Sequence, residues 1–257
     1  MEYGRKIINL NGQHVFIAGG SRGIGAAAAI MAAKAGANVT VNYVSRRDAA
    51  VRVVAAIEAL DKKAIALQGD ISQDGVAKIL MLAAVEHNGP LTGLVVSAGV
   101  FEPGPIEEMT VAFWDKTMSV NVRGTFLTVQ AAVPYMRSSG GGSIVIYTST
   151  AGQRGSAVYS AYATSKGAQI IFMRSMANEL GGTKIRCNCV APAWTETDMA
   201  GPSLDAMGRE NVAKDFVLGR IGLPDDIAGA TIYLLSSLAQ FVTGMTLTVD
   251  GGMDMRG

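Results

Sequence analysis

Tyr162 and Lys166 lie four residues apart in a segment of helix-forming residues, a spacing that stacks a phenol and an ammonium on one helix face. A phenol holds its proton until about pH 10, so it works as an acid or base at neutral pH only when a nearby cation favours the phenolate. Lys166 is placed to supply that charge. Ser149 comes earlier, just past an apolar run at 143–147 (SIVIY) that reads as a strand. A hydroxyl there can hold a substrate oxygen while the phenol exchanges a proton with it, which is general acid and base chemistry on a carbonyl or an alcohol. A YxxxK pair alone is also an ordinary exposed helix pairing, so the rest of the chain has to decide.

A second group of residues suits a dinucleotide. HVFIA at 14–18 reads as a buried strand, GGSRGIG follows it, and AAAAIMAAKA then supplies strong helix formers. Gly19, Gly23 and Gly25 would let the backbone close on a pyrophosphate at a helix N-terminus. The spacing is GxxxGxG rather than GxGxxG, and such a turn also occurs without a ligand. NVTVNY at 38–43 is the second strand. Where an NAD-selective site carries Asp or Glu, this chain has Asn42 and Tyr43, then Ser45, Arg46 and Arg47, with Arg22 in the glycine turn. Guanidinium groups there suit bidentate contact with a ribose 2′-phosphate, which predicts NADP(H). The alternative is that Arg46 and Arg47 are the solvated start of the next helix.

The elements that must hold these groups alternate along the chain. A helix at 47–60 leads to AIALQGD, a strand ending at Asp70, and a helix at about 73–88 leads to LTGLVVSAG, with Ser97, Ala98 and Gly99 at its carboxyl end. Two helices are expected at 110–120 and 123–137. SIVIY, the Tyr162 helix and the strand IRCNCVAPAW follow, then a polar, glycine-containing flap at about 193–220, a helix at 224–238 and the strand MTLTV. The pattern predicts a single Rossmann-type domain over 1–257: a doubly wound α/β fold, one seven-stranded parallel sheet with helices on both faces. Ligands of such sheets bind beyond the strands' carboxyl ends, which suits Asp70 and the SAG turn to adenine and ribose, although either can be an ordinary turn residue.

The helix at 123–137 carries Phe126, Leu127, Val129, Val133, Tyr135 and Met136 nearly all round, and the helix after Tyr162 carries Ile170, Ile171, Phe172, Met173 and Met176. One sheet face cannot cover so much apolar surface, which predicts a homo-oligomer, a dimer or tetramer. Gln153, Arg154, Val158, Tyr159 and Trp194, with Met199 and Met207 of the flap, are the expected substrate wall. Packing alone would also account for Trp194 and the methionines, and Arg154 either recognises a carboxylate or faces solvent.

The 257 residues are 49% hydrophobic with a net charge of +1 and no basic run, which argues against nucleic acid as a partner. No apolar run approaches the roughly 20 residues that span a bilayer, and Glu2, Arg5 and Lys6 stand where a signal peptide would be apolar, so a cytoplasmic, membrane-free protein is expected. Cys187 and Cys189 alternate in one strand, which makes a disulfide awkward, and neither His14 nor His87 has ligand-like spacing to them. Small buried thiols and no metal are the expectation. Two histidines also argue against a Ser-His-Asp triad.

Taken in order, AGGSRGIG at 18–25, GDIS at 69–72, SAG at 97–99, Asn121 in SVNVRG, Ser149, YATSK at 162–166 and VAPAWTETDM at 190–199 resemble the classical short-chain dehydrogenase/reductase family. With GRIGLPDDIA and VTGMTLTVDGG the resemblance covers essentially the whole chain, and it is similar in particular to 3-oxoacyl-[acyl-carrier-protein] reductases. The resemblance implies that Tyr162 is the proton donor or acceptor, Lys166 binds the nicotinamide ribose and lowers the phenol pKa, Ser149 orients the carbonyl oxygen, and Asn121 holds a relay water. It implies dinucleotide contacts from Gly19, Ser21, Arg22, Gly23, Ile24 and Gly25, from Asp70 and Ile71, and from Ser97, Ala98 and Gly99, beside Asn42, Tyr43, Ser45 and Arg46 read from the strand exit. Tyr162, Lys166, Pro192, Thr195 and Thr197 complete that set.

The chain departs from the family pattern at Ser97, where NNAG is usual, and at Ala193, where a Gly usually follows Pro192. Gly140 and Thr183 stand where the carrier-protein reductases commonly have arginines for their acidic partner. The leading expectation is an NADPH-dependent reductase of a small ketone or aldehyde, or the corresponding secondary alcohol dehydrogenase. A 3-oxoacyl-[acyl-carrier-protein] reductase and a non-catalytic NADP(H) sensor or scaffold on the same fold are the alternatives.

Overall fold

The computed structural model describes residues 8–255. Glu2, Arg5 and Lys6, on which the signal-peptide argument rests, lie outside them. The first half of the chain runs β1 (His14–Ala18), α1 (Gly23–Lys34), β2 (Asn38–Tyr43), α2 (Arg47–Glu58), β3 (Ala64–Gln68), α3 (Val76–Asn88) and β4 (Gly93–Val96). The second half continues through α4 (Val111–Met118), α5 (Gly124–Ser138), β5 (Gly142–Tyr147), α6 (Thr150–Arg154), α7 (Ser160–Leu180), β6 (Ile185–Pro192), α8 (Gly201–Met207), α9 (Arg209–Ala213), α10 (Pro224–Leu235) and β7 (Thr246–Val249). All seven strands join one parallel sheet in the order β3-β2-β1-β4-β5-β6-β7. The chain winds outward from β1 to β3, returns to pair β4 with β1, and winds the other way. That reversal leaves a crevice at the strands' carboxyl ends.

The period of two along each strand divides the core. Val15 and Ile17 of β1, Val95 of β4 and Val145 of β5 face α1, α2 and α10, whereas Phe16, Leu94, Ile144 and Ile146 face α3, α5 and α7. Strands buried on both faces read as continuous apolar runs, which is why they are plain in the sequence. Cys187 and Cys189 share one face of β6 as free, buried thiols, and burial pushes both well above their ordinary value. Among the described residues there is no cluster of His, Cys, Asp or Glu able to hold a metal ion, and no helix long and apolar enough to cross a membrane.

Three boundaries differ from the expectation, each for a local reason. The helices expected at 110–120 and 123–137 are continuous, α4 and α5 being joined through a wide π-helical turn at Ser119–Arg123 that carries Asn121. β3 stops at Gln68, because Asp70 turns the chain by accepting the backbone N–H of Ser72 at 2.9 Å and its hydroxyl at 2.7 Å. The polar stretch after β6 forms α8 and α9, with a small core of its own built on Leu204, Val212, Phe216 and Ile221. Short amphipathic turns with so few apolar residues are hidden by the surrounding polar composition.

At the opposite end of the sheet from the crevice, His14 is fully buried. Its Nδ1 lies 2.9 Å from the Gly89 carbonyl and its Nε2 lies 2.9 Å from the Thr40 hydroxyl, which also accepts from Asn88. This chain of partners fits the neutral ring, with Nδ1–H donating to Gly89 and Nε2 accepting from Thr40. Burial pushes the imidazole down to about 4, against a smaller opposing effect of the Gly89 carbonyl. A depressed histidine stays neutral in the fold and takes a proton when unfolded, so its contribution is whole above pH 6.5 and is lost as the pH falls toward 4. Urea unfolding at pH 7 and pH 4.5 should therefore show about 2 kcal/mol less of this acid-induced loss in His14→Met than in the parent. An unchanged pH difference would rule the assignment out.

Candidate active site

Ser149 follows β5 directly and is the N-cap of α6, its hydroxyl accepting from the Ala151 N–H at 3.1 Å. α7 then passes beneath this turn and presents Tyr162 and Lys166. The Lys166 ammonium is buried and donates to the Tyr147 carbonyl, the last of β5, at 2.7 Å. It stands 5.6 Å from the Tyr162 ring centroid, as the four-residue spacing requires. Two of its three protons have no partner among the described residues.

Burial pushes the Tyr162 phenol up to about 12, while the neighbouring Ser149 hydroxyl pulls it the other way. Tyr162 keeps some exposure along the cleft, but the surroundings of its hydroxyl are dense enough for desolvation to dominate. Burial also pushes Lys166 down to about 8. Desolvation of the phenolate is thus the larger influence on the phenol, with the Ser149 hydroxyl opposing it.

The other expected residues gather by segment along the same cleft, about 470 Å3 in volume. Gly19, Ser21, Arg22, Gly23 and Ile24 form its floor after β1. Asn42, Tyr43, Ser45 and Arg46 after β2, Asp70 and Ile71 after β3, and Ser97, Ala98 and Gly99 after β4 line it as well. Pro192, Thr195 and Thr197 close the far wall beside Ser149, Tyr162 and Lys166. Asn42 reaches the cleft with its side chain already committed, its Nδ2 donating to the Gly69 carbonyl at 2.9 Å.

Two expected residues sit behind the wall. Gly25 is buried, and a Cβ there would collide with the Gly19 carbonyl oxygen, so it permits α1 to start hard against the turn rather than touching the cleft. Asn121 is fully buried. Its Oδ1 accepts from the Val100 N–H at 2.8 Å, and its Nδ2 donates to the Val100 carbonyl at 3.1 Å and to Ser165 at 2.9 Å. Its own carbonyl accepts from Gln169 at 2.8 Å and Thr125 at 2.6 Å. The side chain is thus a clamp tying the exit of β4 to α7.

The features of the cleft fit a dinucleotide. The first turn of α1 has no side-chain cap, so its free N–H groups face the cleft where Gly23 and Ile24 line it. Gly19 has φ +75°, and a Cβ there would come within 2.7 Å of the Ala98 backbone, which keeps the floor bare.

Beside the Arg46 end, a further cavity of about 240 Å3 is lined by Ser21, Arg22, Arg46, Arg52 and Asp198 among others. Arg22 is 3.7 Å from Asp198, and Arg46 and Arg52 are 3.3 Å and 3.2 Å from Asp48. Arg52 was not foreseen; it lies one and a half helical turns beyond the arginines read from the strand exit.

The substrate side of the cleft departs most from expectation. Arg154, Trp194 and Met199 line it, but Gln153 is bound to Thr248 at 3.0 Å, Val158 and Met207 point to solvent, and Tyr159 stands one layer back. Phe101 and Met253 line it instead. An aromatic two residues past the SAG turn was a readable signal for Phe101, while nothing local in the sequence brings residue 253 here.

A model of the family described as Enoyl-(Acyl carrier protein) reductase matches residues 18–254. The chain belongs to the short-chain dehydrogenase/reductase family. It is 39% identical over 246 residues to L-rhamnose 1-dehydrogenase (NAD(P)(+)) of Sphingomonas sp., covering 95% of this chain and 97% of that one. It is 36% identical over 254 residues to versicolorin reductase 1 of Aspergillus parasiticus, covering 95% and 97%. The fold matches the crystal structure of a dehydrogenase/reductase from Sinorhizobium meliloti with a TM-score of 0.89 at 36% identity, over 96% of this chain and 97% of that one. As a short-chain dehydrogenase/reductase the chain is an oxidoreductase that uses a nicotinamide cofactor and acts on alcohol or carbonyl groups.

Proposed function

We propose that this short-chain dehydrogenase/reductase is an NADP(H)-dependent carbonyl reductase in which Tyr162 is the proton donor. The observation that carries the reading is the convergence of Ser149, Tyr162 and Lys166 on one cleft wall, facing a floor built for a dinucleotide. The bound nicotinamide supplies or accepts the hydride. Ser149 holds the substrate oxygen. Tyr162, protonated at neutral pH with its phenol at about 12, gives its proton to that oxygen as it becomes an alkoxide, a far stronger base than the phenolate. Lys166 has two protons to spare for a ribose hydroxyl, and its charge steadies the phenolate left behind. The relay role proposed for Asn121 would be exercised through the backbone it positions, since its side chain is fully occupied.

The absence of an acidic residue at the end of β2, together with Arg22, Arg46 and Arg52 around the adjoining cavity, supports a phosphorylated ribose. Gly140 and Thr183, where the carrier-protein reductases commonly have arginines, weigh against a carrier-protein partner. Relatives of similar identity are named for L-rhamnose and for versicolorin, so the substrate has to be read from the pocket wall. Assembly into a homo-oligomer is supported by the outer faces of α5 and α7, where Phe126 and Phe172 meet edge-on at 6.4 Å and Ile171 is 59% exposed.

Tyr162→Phe should lower kcat by roughly 100-fold or more while NADPH still binds with near-parental affinity by fluorescence titration, and near-normal turnover would falsify the assignment. The ratio of kcat/KM with NADPH to that with NADH should exceed one in the parent and fall about 10-fold or more in Arg46→Ala, the loss expected of a charged hydrogen bond; a parent that favours NADH overturns the cofactor reading. Light scattering at micromolar concentration should give a dimer or tetramer mass. A clean monomer would sink the oligomer.

A further inference from the structure

On the substrate side Tyr162 belongs to a cluster of aromatic rings, of which Phe101 and Trp194 line the cleft and Tyr159 stands behind Phe101. Phe101, past β4, is at the centre. It stacks on Tyr159 with centroids 4.4 Å apart and planes inclined by 6°, and it meets Tyr162 at 4.8 Å and Trp194 at 5.6 Å, both nearly edge-on. Phe101 is thereby held rigid on three sides, and Tyr159 is itself tied to Ser203 of α8 at 3.0 Å. Met199 and Met253 extend the apolar surface. The charged group on this side, Arg154, is neutralised by Asp254 at 2.7 Å.

A polyhydroxylated substrate needs a donor or acceptor for every hydroxyl it takes out of water. Apart from Ser149 and the Tyr162 hydroxyl, the lining here offers Thr150, Ser156 and Arg154, whose Nε is paired with Asp254, while the hydroxyls of Thr148, Thr195 and Thr197 are bound to backbone groups. A flat aromatic ring needs none. It requires fixed ring edges and faces and adaptable thioethers, which is what Phe101, Trp194 and the two methionines provide. We propose that the substrate is a ketone carried on a planar aromatic ring, in which a carbonyl in a chain or ring joined to the aryl ring is reduced to the secondary alcohol, and that Phe101 and Trp194 determine this specificity.

The inference rests on the carbonyl-reductase reading of the same site. In the step, the carbonyl carbon gains the hydride of the reduced nicotinamide, which is oxidised, while the carbonyl π bond breaks and its oxygen takes the proton of Tyr162.

The test uses the full chain and three compounds: 2-tetralone and cyclohexanone, two non-conjugated ketones of comparable reactivity, with NADPH, and L-rhamnose with NADP+. The expected result is a kcat/KM for 2-tetralone about 10-fold or more above that for cyclohexanone, with L-rhamnose slowest. Phe101→Leu, which keeps apolar bulk and removes the ring, should reduce that 2-tetralone preference about fivefold or more, and Trp194→Leu should act in the same direction. Equal use of the two ketones, faster oxidation of L-rhamnose, or a preference unmoved in both variants would overturn the aromatic substrate and leave the reductase standing. Failure of every carbonyl and alcohol with either dinucleotide would overturn both.

Discussion

The site depends on one buried cation. Lys166 has its ammonium out of water and held by the Tyr147 carbonyl at 2.7 Å, which fastens α7 to the end of β5 and so fixes where Tyr162 and Ser149 stand relative to each other. With its amine pushed down from 10.5 to about 8, the folded chain carries the charge at neutral pH at a cost of about 3 kcal/mol, relieved only as the pH rises from about 8 towards 10.5. Such a group persists because the surrounding structure leaves it no way out. α6 packs so closely on α7 that a Cβ on Gly152 would come within 2.7 Å of the Lys166 backbone. The close crossing fixes the lysine's base, and the β5 carbonyl fixes its tip.

A second clamp adds to the first. The π-helical turn between α4 and α5 adds a residue to the helix and swings Asn121 inward, where it takes both the N–H and the carbonyl of Val100 and reaches Ser165, one residue before the lysine. Gln169, one turn further along α7, takes the carbonyl that the wide turn leaves free. Arg123, at the end of the same turn, donates twice to the Ser72 carbonyl and steadies the loop carrying Asp70. One irregular turn therefore sets the exit of β4, the middle of α7 and the loop after β3. Loss of a side chain from this network would leave buried polar partners unsatisfied, which is the expensive outcome for a dry site.

The seven strands and their helices were legible because each follows from a short-range rule: continuous apolar runs for strands buried on both faces, helix formers between them, and glycine at the first turn. The pairing of Tyr162 with Lys166 was legible because four-residue spacing on a helix is a local fact. Three things were not. The direction of the Tyr162 shift depends on how much of the chain surrounds the hydroxyl, and no spacing reports that. The continuity of α4 and α5 depends on a π turn that Asn121 and Gln169 stabilise from 48 residues apart. The helices α8 and α9 rest on a cluster of few apolar residues, too sparse to show a period.

The substrate wall was the least legible because it is assembled rather than encoded in a run. Phe101 comes from a strand exit, Trp194 from the loop after β6, and Met253 from beyond β7. The dinucleotide half of the cleft is made of turns fixed to strand ends, so its chemistry is constrained by backbone geometry. The substrate half is made of side chains on segments that leave the sheet, and replacing one ring there alters the pocket without disturbing a strand or a clamp. Relatives of 39% and 36% identity named for such different molecules are compatible with that division. The sheet and the clamps fix where Tyr162 and Lys166 stand, whereas the side chains on the departing segments shape the space in front of them.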